Sequence, residues 1–168
     1  KMIEEPNNNN FFILINNKKN KLIDTIKSRS IETKIFLNFE QKNIILKKML
    51  ESNKIDDHFI FNYLRLSTPA MILKYYYIFS EINAKLNSNF YDVTSKLLDK
   101  YKKNKEDSYI ECIKFFLDIK MNEKNCFKKD NLTSPLKIKS DLLKILYDYK
   151  KSNLTNNLVL NFVKSSIN

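Results

Sequence analysis

From residue 41 onward, large apolar residues recur at steps of three and four, the spacing of one helix face. Ile45, Leu46, Met49 and Leu50 form the first such stripe. Asp56 or Asp57 can cap a short second helix over 58–66. Ser67-Thr68-Pro69 is a helix start, with a hydroxyl cap followed by proline in the first turn. The stripe Met71, Tyr75, Ile78, Phe79, Ile82 and Leu86 carries that helix over 69–86, with Lys74, Glu81 and Lys85 opposite. It is apolar around much of its circumference, which predicts the central helix. Asn89 caps the next helix, with Phe90, Val93, Leu97 and Tyr101 inward and cations at its end. A helix over 106–121 turns Tyr109, Cys112, Ile113, Phe116 and Leu117 inward. Ser134-Pro135 opens another to residue 151, with Lys137, Asp141, Lys144, Asp148 and Lys151 alternating in sign on its outer face. A last helix holds Leu158, Phe162 and Val163.

Before residue 41 the pattern is ambiguous. Residues 1–10 read as a polar tail and 11–168 as a single helical domain. Phe11 to Ile15 is apolar at every position and can form a short strand. Leu22, Ile23 and Ile26 have helical spacing, so the chain is read as helical from about residue 21. Residues 31–39 fit a strand or a first helical turn. The fold class predicted is all-α: an antiparallel helical bundle or short helical solenoid of about seven helices. Leu66-Ser67-Thr68-Pro69 recurs as Leu132-Thr133-Ser134-Pro135, but other echoes keep no common period, so a true repeat is not predicted.

Composition narrows the chemistry. The 168 residues include 28 Lys, 23 Asn and 20 Ile, but no Gly, and this excludes every phosphate-cradling loop and nucleophile elbow that needs Gly at fixed offsets. It also disfavours tight hairpins, and leaves Asn as the substitute at helix C-termini. The single histidine, His58, stands beside Asp56 and Asp57, but neighbours on a helix do not face one another. Cys112 and Cys126 have no short ligand spacing, so they are read as free thiols rather than a disulfide or a metal site. No catalytic residue, cofactor or metal is expected, and the chain is not read as an enzyme.

The net charge of +11 suggests nucleic acid or an anionic surface. Two facts reduce that inference. Lys, Asn, Ile, Phe and Tyr are the residues of an AT-rich genome, and only Arg29 and Arg65 supply the planar fork that reads bases. No run is long and apolar enough to span a bilayer. An intracellular, cytoplasmic placement is expected, and a cleaved leader is compatible with the start at Lys1.

Binding candidates come from the aromatics and the lysines. Tyr75, Tyr76 and Tyr77 must point three ways around one helix, so at least one ring is exposed or at an interface. Lys102, Lys103, Lys105, Lys150 and Lys151 fall at helix ends, and loops converging at one end of a bundle would gather them. The leading expectation is a non-catalytic protein–protein interaction module, a subunit or adaptor of a larger assembly. The alternative is a basic RNA-associated protein bound to a ribonucleoprotein particle such as the ribosome. It requires those five lysines to share a face with an exposed tyrosine.

Overall fold

The structure is a computed structural model that describes residues 12–16, 21–55, 62–122, 135–152 and 154–167. It divides into two compact units, 1–36 and 37–168. Every regular element among the described residues is a helix, seven in all.

In the first unit, residues 12–16 run without regular structure. The strand expected near residues 11–15 is therefore not formed among the described residues. A strand needs a second one to take its backbone hydrogen bonds, and no strand is present there to pair with it. Helix α1 (Asp24–Lys27) is a single turn with no buried residue and no side-chain cap. Isolated short helices are marginal because nucleation is costly. The helical reading from residue 21 holds for that one turn only.

The second unit holds α2 (Phe39–Ser52), α3 (Pro69–Glu81), α4 (Phe90–Asn104), α5 (Asp107–Asn122), α6 (Pro135–Ser152) and α7 (Asn156–Ser166). Their starts are written locally. Asn38 and Gln41 make a reciprocal capping box at α2. Thr68 accepts from the Met71 N–H ahead of Pro69. Asn89 accepts from the Tyr91 N–H at 2.7 Å. The cap expected at Asp56 or Asp57 and residue His58 lie outside the described residues, and 62–66 form a tight turn rather than an α-helix.

Helix ends show what the lack of glycine costs. Left-handed φ occurs at Lys54, Asn83 and Lys105, each just past a helix. At Asn83 the next N–H, of Ala84, donates to Phe79 O, and the Asn83 N–H donates to Ser80 O. This paired closure stops α3 at Glu81, five residues short of the expected end. Lys54 and Ile55 close α2 the same way, onto Glu51 O and Leu50 O. A Cβ at such a φ costs on the order of 1 kcal/mol. Lys54→Gly is therefore expected to stabilise the unit by about 0.5–1 kcal/mol, read as a raised urea midpoint.

Antiparallel packing follows from pairs at the helix ends. Lys150, late in α6, pairs with Asp107 at the start of α5, while Lys139, early in α6, pairs with Asp118 late in α5. Phe90 stacks on Phe116, and Asn104 bonds Tyr109, so α4 and α5 also run opposite ways. Tyr75 stacks on Phe115 and Glu81 accepts from Tyr109, which sets α3 against α5 in the same sense. Helix α5 packs on α3, α4 and α6, and is buried around most of its circumference. It, rather than α3, is the central helix. Its ten buried residues exceed the six of α3, because α5 also buries Ile110, Phe115 and Ile119. A smaller cluster of Leu46, Leu50, Leu64, Ile72 and Leu73 joins α2 to α3.

Candidate functional site

The tyrosine triplet on α3 splits three ways. Tyr75 is 5% exposed and stacks on Phe115 at 4.6 Å between ring centroids. Burial, with smaller contributions from Cys112 and Glu111, pushes its hydroxyl up to about 12. It belongs to the core, so it is not a surface anchor: the α3 stripe that packs on α5 includes position 75. Tyr76 is half-buried and lines a largely apolar pocket of about 460 Å³ with Tyr63, Ile72, Phe79 and Phe115. Tyr77 is 48% exposed and donates to Asn53 Oδ1 at 2.9 Å. One ring of the three is thus on the surface, and its hydroxyl is already engaged.

The lysines are brought to one end of the helical unit. Helices α4 and α6 both oppose α5, so their C-termini lie beside the α5 N-terminus. Tyr101 of α4 and Tyr149 of α6 meet at 5.8 Å between ring centroids, so Lys102, Lys103, Lys150 and Lys151 lie at the same end of the unit. The left-handed φ of Lys105 makes the α4–α5 corner, and its ammonium sits 5.7 Å over the Tyr101 ring. Lys150 reaches Asp107 at 2.6 Å, and that hydrogen bond raises its pKa. All five lysines are exposed.

A second tyrosine completes this end. Tyr147 on α6 is 64% exposed. With Ile110, Leu146, Lys150 and Lys151 it lines a cleft of about 420 Å³ between α5 and α6. On the other side, Lys103 borders a smaller notch with Lys96 and Lys100. Lys100 bonds Glu81 at 2.7 Å; this bond, and a second from Tyr109, hold the Glu81 carboxyl below its ordinary range. Sequence reading missed Tyr147 because it placed only charged residues on the outer face of α6. The exposed Leu136, eleven residues earlier on that helix, shows the same face to be partly apolar.

Among the described residues the remaining candidates form no metal or nucleophile site. Cys112 is a buried free thiol, pushed well above its ordinary range by burial. Cys126 and His58 lie outside the described residues. Among the described residues no three His, Cys, Asp or Glu side chains are grouped to hold a metal. No described helix is long and apolar enough to cross a membrane.

The first unit presents a different surface. Ile13 and Ile15 are 90% and 96% exposed, while Phe12 and Leu14, which alternate with them, are about half exposed. That alternation is the signature of an extended segment with two faces. Ile31, Ile35 and Phe36 are at least 80% exposed. The comparison with known families falls on these residues. Residues 1–38 are similar to the family described as DNA polymerase III, delta subunit. The match covers 38 of 168 residues and stops where α2 begins. No curated protein and no solved structure matches the chain.

Proposed function

We propose that this chain is a non-catalytic helical subunit of a larger assembly of the DNA polymerase III kind, joined to it through residues 1–38. The observation that carries the reading is the coincidence of two features on those residues. They match the delta-subunit family, and they expose a dense set of large apolar side chains. Each such side chain left in water forgoes about 1.5–3 kcal/mol of burial. Apolar surface of this density on soluble protein marks a protein contact. A non-catalytic role is supported by the absence of glycine, which rules out phosphate loops of the kinds that need it. It is supported further by the titratable groups. Those with shifted pKa among the described residues of the helical unit are surface ion pairs, or hydroxyls and a thiol held in the core.

The test is the native size of the endogenous protein in lysate, by gel filtration with and without ribonuclease. The expected result is elution far above the size of the denatured polypeptide, unchanged by ribonuclease, with polymerase subunits in the same fractions by mass spectrometry. Elution as a monomer, or collapse to monomer size after ribonuclease, overturns it.

A further inference from the structure

Residues 12–15 and 31–36 leave their backbones, as well as their side chains, without a partner. We infer, resting on the assembly reading above, that these two segments join a β-sheet of the partner protein as added strands, 12–15 within the sheet and 31–36 at its edge. The partner is thereby given one defining feature, an open sheet edge.

Neither segment has regular structure, and none of their backbone N–H or C=O groups makes a hydrogen bond among the described residues. Neither contains proline, so every N–H is available to a ladder. In the isolated chain water takes these groups. Once a protein covers the apolar side chains, the backbone between them loses that water and must be hydrogen-bonded. A helix would satisfy it internally, but the apolar run 11–15 is five residues long between Asn10 and Asn16, too short for a stable helix. A neighbouring strand is the remaining solution. Phe, Ile and Thr are residue types that favour one.

The side chains set the place of each strand. All four at 12–15 are large and apolar, as in strands covered on both faces. In the second segment Ile31, Thr33 and Ile35 fall on one face, and Glu32 and Lys34 on the other, with Phe36 at the end. Such a strand is covered on one face and wet on the other, and an outward lysine is usual at a sheet edge. Lys27 pairs with Asp24 at 3.8 Å, so Lys21, Arg29 and Lys34 outnumber Glu32 among the other charges of 21–36. A sheet edge flanked by carboxylates complements them.

Amide hydrogen exchange at single-residue resolution compares the purified chain with the endogenous assembly, isolated through a tag at the chain's C-terminus. In the purified chain both segments are expected to exchange like unstructured peptide. In the assembly they are expected to slow by about 100-fold or more. The protection should cover successive amides in 12–15 but alternate ones in 31–36, because an edge strand turns only every second N–H towards its neighbour. Thr33→Pro and Lys34→Pro remove N–H groups on opposite sides of that edge. One is expected to weaken assembly about 10-fold or more and the other to leave it nearly intact, both with an unchanged circular dichroism spectrum. Elution of the endogenous protein as a monomer overturns the assembly reading, and this inference with it. Assembly with unprotected amides in both segments overturns the inference alone. Protection of every amide in 31–36, with equal loss for both prolines, overturns it in favour of a helix docked in a groove. The same protection in the concentrated purified chain, at the mass of a dimer, overturns it in favour of a second copy.

Discussion

Replacing Phe116 by Ala is expected to lower the unfolding free energy of the helical unit by about 3–5 kcal/mol. Phe116 is 0% exposed at the middle of α5. Phe90 stacks on it at 5.4 Å, Phe79 meets it edge-on at 5.2 Å, and the Lys120 ammonium lies 5.3 Å above its ring. Truncation removes all of these contacts and leaves a hole facing α3 and α4 together. Helix backbones cannot collapse into a hole on two sides, so the cavity term adds to the lost transfer energy. Stabilities of domains this size run from about 5 to 15 kcal/mol, so the loss is a large share of the whole. Urea denaturation followed at 222 nm by circular dichroism (the helix band) reads it directly. Phe115→Leu provides the contrast. Phe115 borders the pocket beside Tyr63 and keeps more volume on substitution, and a loss below about 2 kcal/mol is expected. Equal losses for the two variants would remove Phe116 as the centre of the core.

Substituting Ser at Ile13, Ile15, Ile31 and Ile35 together is expected to release the protein from its assembly while leaving it folded. All four side chains are more than 80% exposed, so folding buries almost none of their surface. In the proposed function, assembly is the state in which that surface is covered. At about 1.5–3 kcal/mol per fully buried side chain, the set represents several orders of magnitude in affinity. Gel filtration of the variant in its native background should move it from the large fraction to monomer size, with an unchanged circular dichroism spectrum. A variant that stays in the large fraction would show that residues 1–38 are not the route into the assembly.

The helices were legible because their signals are local. Thr68-Pro69 and Asn89 predicted two helix starts, and the inward residues Val93, Leu97, Ile113 and Leu117 follow from a spacing of three and four. Helix α3 was read too long because its apolar stripe continues to Leu86, and Asn83 carries no mark of its left-handed φ. Residues 62–66 were read as the end of a helix capped at Asp56 or Asp57, but only a turn forms there. Tyr75, Tyr76 and Tyr77 show the limit for sites. Their spacing requires three directions, but which ring is buried depends on where Phe115 of another helix lies.

By itself the sequence determined the all-α class, the helix starts at Thr68 and Asn89, most inward faces, the exclusion of glycine-dependent loops and a surplus of lysine. These properties depend on residues within one or two turns of each other. The tertiary structure alone decided that α5 is central and that Lys102, Lys103, Lys105, Lys150 and Lys151 lie at the end of the unit where α4 and α6 stop and α5 begins. Lys150 pairing with Asp107 and Tyr149 meeting Tyr101 hold those ends together across more than forty positions. No local pattern records which helix a buried ring will meet.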